Sequence, residues 1–172
     1  TGVQTCALPI YIDFPQVMRW RMERLREAYQ GFLRVGDVQA AKSLQRWSEQ
    51  HASWLDDYTL FMALNQEFGA PSWTSWPQPL AQREPKALQD ARRQHADEIG
   101  FWQFVQWTFD QQWQALKTYA HSKQVLLIGD LPIFVAHHSA DCWANPGLFK
   151  LDALGQPAVV ARSEEHTSEL QS

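Results

Sequence analysis

The feature that most constrains this chain is the run Val125-Leu126-Leu127-Ile128, closed by Gly129-Asp130. Four consecutive β-branched or aliphatic residues without polar alternation suit a parallel strand covered on both faces. A strongly apolar helical stretch, Phe101 to about Lys123, leads directly into it. Helix followed by buried strand is the repeating unit of an α/β sheet or barrel. Gly129 lets the backbone turn, and Asp130 is the first charge at the strand's carboxyl end. In (β/α)8 barrels that end carries the catalytic and ligand groups, which makes Asp130 the leading candidate site residue.

Upstream the pattern is almost entirely helical. Asp13, with Gln16 three residues on, reads as a capping box, and Val17, Trp20, Leu25, Ala28 and Phe32 then mark an apolar face up to Gly36. A second helix is expected over about Asp37 to Gln50. A third is expected from about Trp54 to Phe68, ended by Gly69, which suits a left-handed cap. Four prolines and two tryptophans between Pro71 and Pro85 oppose regular structure and predict a packed loop. Pro85 suits a first helical turn, and that helix is expected to run to about Lys123 with a kink at Gly100.

The segment GDLPIFVAHHSADCWANPGLFKLDALGQPAVVA, from Gly129 to Ala161, closely resembles the amylomaltase family of 4-α-glucanotransferases. The resemblance rests on GD-x-PIFVA followed by a Ser-Ala-Asp/Glu-x-Trp-Ala segment, here Ser139 to Ala144. Trp54-Leu55-Asp56-Asp57-Tyr58, Phe61 to Leu64, Trp76-Pro77, Arg83-Glu84-Pro85 and Gln112-Trp113 are similar to that family's landmarks and fall in the expected order. It implies an α/β fold: a fragment of a (β/α)8 TIM barrel with a large helical insertion, the chain itself being mostly α-helical. Residues 11–84 would form the helical insertion and its Pro/Trp loop, and residues 85–161 a barrel helix, the third barrel strand and the following loop.

Both ends look foreign to that pattern. RSEEHTSELQS at 162–172 can be back-translated so that its complement reads TGVQTCALPI, the sequence of 1–10, and both are expected to be sequencing-adapter artefacts outside the fold. The formal net charge of the whole chain is −4. Leaving out Arg162, Glu164, Glu165 and Glu169 brings it to −2, which offers nucleic acid no strong attraction. Cys6 falls in the foreign leader, so Cys142 is left alone and is expected to be an inert filler without a disulfide partner. Every long apolar run is broken well short of the roughly 20 residues a membrane span needs. A cytoplasmic protein without membrane attachment is expected. The 151 residues from 11 to 161 fall short of the roughly 250 of a complete barrel, so this is expected to be a piece of a longer enzyme.

The nine tryptophans could stack on sugars, yet Trp102, Val105, Phe109, Trp113, Leu116 and Ala120 follow helical three-and-four spacing, widened by Phe101, Phe104 and Trp107. Core packing accounts for them without a ligand. Trp143 lies instead in the loop beyond the expected strand, where function concentrates, and is a candidate sugar contact. His137 and His138 are adjacent and would point opposite ways in an extended segment. With no accompanying metal framework, no metal is expected, and His138 becomes a candidate sugar-subsite residue.

The resemblance implies transfer of α-1,4-glucan segments between maltooligosaccharides or starch-derived glucans by retaining double displacement. It places the nucleophilic Asp, the acid/base Glu and a third, stabilising Asp beyond Ala161, so no catalytic residue is expected in this chain. The expected substrate-binding residues are Asp130, His138 and Trp143, with Asp130 shaping the site rather than doing the chemistry. No Gly-rich phosphate loop or metal-ligand set is present, so no cofactor is expected. Two alternatives remain open, a hydrolase of the α-amylase clan and a non-catalytic helical interaction module formed by residues 11–123.

Overall fold

A computed structural model describes residues 12–69, 72–130 and 134–159. The expected artefacts at 1–10 and 162–172, and Leu131 to Ile133 of the GDLPIFVA motif, lie outside them. The chain divides into two compact units, Thr1–Lys42 and Ser43–Ser172.

In the first unit, α1 spans Phe14–Val35. Its start is set as the sequence demands: the Asp13 carboxylate accepts the Gln16 amide at 2.9 Å, satisfying one of the helix's free N–H groups. Gly36 ends it with φ +63°, a conformation that glycine adopts without steric cost. Helix α2, Val38–Gln50, begins at the end of this unit and continues into the second.

The second unit is built on α3 (Ala52–Phe68) and α6 (Ala96–Ser122), which pack along one another. Between them come a 3₁₀ turn at Trp73–Ser75 and the short helices α4 (Gln78–Ala81) and α5 (Pro85–Gln94). Beyond α6 come α7 (Ala140–Ala144) and a second 3₁₀ turn at Pro146–Leu148. The core joins Leu60, Phe61 and Leu64 of α3 to Trp73, Trp76, Leu88 and Ala91, and is completed by Cys142 and Trp143 of α7.

Three expectations are corrected. The continuous helix from Pro85 to Lys123 is two helices, parted at His95, while Gly100 lies unbroken inside α6. His95 places Nε2 2.9 Å from a Glu67 carboxylate oxygen on α3, so a tertiary contact sits at the break where glycine propensity would have put a kink. The apolar face of α6 is buried only at its start, at Phe101, Trp102 and Phe104; Phe109, Trp113 and Leu116 are exposed. Trp47 of α2 donates its indole N–H to Asp110 at 3.0 Å, and past Asp110 no residue of α6 is buried.

The third correction concerns the opening feature. Val125 to Asp130 forms no strand, and Ile128 is 95 % exposed. Among the described residues there are no strands, only an isolated antiparallel bridge between Leu151 and Pro157. A strand exists through the ladder it shares with neighbours, and no described residue offers one to this run. The bridge closes a tight turn in which Asp152 Oδ1 accepts the Leu154 and Gln156 amides at 2.8 and 2.9 Å. Gly155 turns it with φ +74°, and a Cβ there would stand 3.0 Å from the Trp73 ring.

Candidate functional site

The polar residues of the second unit converge where the segment after Asp130 returns to the helices. Trp73 is the anchor. Its indole N–H donates to the His137 carbonyl at 2.8 Å, and its backbone N–H donates to His138 Nδ1 at 3.0 Å. The other ring nitrogen of His138 bonds Asn65 Oδ1 on α3 at 2.8 Å, and His137 Nε2 bonds the Gly155 carbonyl at 2.7 Å. Burial, and then the neighbouring His137, holds the His138 pKa below its ordinary value.

A second cluster lies beside it. Trp143 is fully buried, donates its indole N–H to the Leu80 carbonyl at 3.0 Å, and carries the Arg83 guanidinium 4.3 Å above its ring. One Arg83 nitrogen in turn reaches both oxygens of Asp57, at 2.8 and 2.9 Å. Phe61 and Trp76 close around Trp143 with centroids at 5.9 and 5.7 Å. Residues spread over more than 80 positions are thus one packed assembly.

Among the described residues, two of the clefts on this unit stand out by size. One of about 700 Å³ lies between the Trp73–Gln82 stretch and the Pro146–Gly155 loop; among the described residues its one carboxylate is Asp152, whose Oδ1 is engaged in the turn described above. The other, about 480 Å³, is lined by Phe134, Val135, His137, Phe149, Pro157 and neighbouring residues, with no carboxylate among the described residues. Cys142 is buried beneath it and burial raises its thiol pKa, which disfavours the reactive thiolate. Among the described residues no group of three or more His, Cys, Asp or Glu side chains could hold a metal ion.

The three sequence-expected contacts are therefore not brought together. Asp130 is exposed in the irregular segment after α6. His138 has both ring nitrogens engaged within the protein. Trp143 offers no open ring face to a sugar, because the loop folds into a helical turn capped by Ser139, whose hydroxyl accepts the Cys142 amide. Asn65, Trp73 and Gly155, partners that sequence reasoning missed, are 18 to 73 positions away from the histidines they hold. Only Gly155, inside Leu-Gly-Gln-Pro, carried a local turn signal.

What the assembly joins is the set of motif residues: Asp57 of the WLDDY stretch, Phe61, Trp76, Arg83 and Trp143. Residues 3–158 match the family model described as 4-alpha-glucanotransferase. The chain belongs to the 4-α-glucanotransferase family. It is 43 % identical over 150 residues to the 4-alpha-glucanotransferase of Thermus thermophilus, covering 87 % of this chain and 30 % of that protein. It is 36 % identical over 141 residues to the enzyme of that name from Clostridium butyricum, covering 82 % and 28 %. Its fold is similar to that of an amylomaltase from Streptococcus agalactiae in complex with acarbose, with TM-score 0.80, 32 % identity, and coverage of 87 % of this chain and 30 % of that one. The chain thus spans about 30 % of the length of the relatives it matches.

Proposed function

We propose that this chain is part of an enzyme that transfers α-1,4-glucan segments between maltooligosaccharides, with these residues forming the scaffold beside the active site. The family match over residues 3–158 carries the reading, and the likeness to an amylomaltase solved with acarbose supports a glucan ligand. In the enzyme as a whole, Val125 to Ile128 would be the third strand of a barrel and Asp130 a glucan contact at its carboxyl end. Residues 11–84 would be the helical insertion.

Retaining glycosyl transfer takes two carboxyl groups about 5–5.5 Å apart across the scissile bond. Among the described residues neither large cleft presents such a pair: one has only Asp152, held in a turn, and the other has none. The catalytic carboxylates are assigned to the portion of the relatives that this chain does not span. The 172-residue polypeptide alone is expected to leave maltotriose unchanged, and chromatography of the products checks this. Glucose and longer maltooligosaccharides made by the purified chain would overturn the assignment. Glucose as the main product of a chain extended to the relatives' length would favour the hydrolase alternative.

A further inference from the structure

We infer that His138 is a positioning residue whose neutral ring clasps the segment following Asp130 to the helices, and that protonating this ring opens the clasp. Its bearing on glucan chemistry rests on the reading of Asp130 given above; the clasp itself does not.

The bonding fixes the protonation state. A backbone amide can only donate, so the Trp73 N–H at 3.0 Å requires a lone pair on His138 Nδ1. The ring proton then sits on Nε2 and is donated to Asn65 Oδ1 at 2.8 Å. One nitrogen accepts and the other donates, a combination available to a single neutral tautomer. The imidazolium has two donors and no acceptor, and its Nδ1–H would face the Trp73 N–H head on.

His137 behaves differently although it is the adjacent residue. Its Nε2 faces the Gly155 carbonyl at 2.7 Å, which accepts a hydrogen from the neutral and the charged ring alike. The pair therefore joins a ring bond indifferent to protonation, from His137 to Gly155, to one that depends on its absence, from Trp73 to His138.

The surroundings of His138 do nothing to offset a charge. From α3 it is faced by the Phe61 ring at 5.2 Å and by Asn65, from the 3₁₀ turn by the Trp73 amide, and from beyond that turn by the edge-on Trp76 ring at 6.3 Å. His137, on its own segment, is a cation when protonated. None of these groups is an anion. Burial and then His137 both lower the pKa of the folded ring. The folded value lies below the unfolded one, so the clasp is complete above about pH 6.5 and weakens as pH falls through it.

The test uses the 172-residue chain labelled with ¹⁵N. Imidazole nitrogen shifts should show His138 as the Nε2–H tautomer at pH 8. Between about pH 6.5 and the lower folded value of His138 the protection factor of the Trp73 amide, corrected for intrinsic exchange, should fall with a slope of at most about tenfold per pH unit, the limit for one linked proton, while that of Leu60 in the core holds. His138→Gln should abolish this pH step whatever protection it retains at pH 8, and His137→Gln should keep it. An Nδ1–H tautomer, a Trp73 protection factor flat from pH 8 to 5, or a step that survives in His138→Gln would overturn the inference. No outcome depends on glucan binding, so failure of the clasp and failure of the Asp130 reading are separately visible.

Discussion

Trp143 shows how differently one residue type can be used within a single chain. Its ring is enclosed by Phe61, Trp76 and the Arg83 guanidinium, and its N–H is satisfied by Leu80. Trp143→Ala would remove a large fully buried ring, a donor to the Leu80 carbonyl and the face beneath the Arg83 guanidinium. The expected cost is about 3–5 kcal/mol, read as a lower urea midpoint. Trp113 on α6 is exposed, so Trp113→Ala should stay within about 0.5 kcal/mol. Equal losses in the two variants would mean that Trp143 is not the keystone these contacts make it. The Arg83–Asp57 pair belongs to the same assembly, and its contribution lies as much in covering the Trp143 face as in charge, since Arg packs its plane on aromatics.

At the scale of elements, local chemistry decides the helices and non-local chemistry decides everything else. Asp13, Gly36, Gly69 and Pro85 mark their boundaries within a residue or two of where the sequence puts them, because caps act on the backbone within one turn. Asp13→Ala should therefore destabilise the start of α1 by about 1 kcal/mol, seen as faster amide exchange at Val17 and Met18 with little change in the second unit. Unchanged exchange there would remove the cap from the account. The break at His95 coincides with its contact to Glu67, 28 positions earlier, which could not be read from α5 or α6 alone. The same holds for Val125 to Ile128: its composition says strand, but a strand is a property of a pair, and its partner is not among the described residues. Nor could the sequence place Trp143 or His138, whose neighbours Phe61 and Asn65 lie more than 70 positions upstream.

At the scale of the molecule, the apolar surface left uncovered is the property with the clearest consequence. Leu126, Ile128, Phe134 and Leu148 are each more than 60 % exposed within the second unit, as are Phe109 and Tyr119 on α6. Soluble monomers rarely keep so much apolar surface unless it is an interface, and Val125 to Ile128 belong to no helix or strand. A net charge of −4 on 172 residues gives only weak repulsion against association. The purified chain should therefore self-associate at micromolar concentrations, with a weight-average mass in sedimentation equilibrium that rises with loading. Added salt should not reverse this, since burial of apolar area rather than ion pairing drives it. The double variant Leu126→Lys/Ile128→Lys alters two side chains that make little contact within the chain, so its urea midpoint should stay close to that of the parent. Its association should be weaker, because two charges now line the run. A monomeric parent, or a double variant that associates as strongly as the parent, would show that Val125 to Ile128 is not the adhesive surface, and would turn attention to the exposed half of α6.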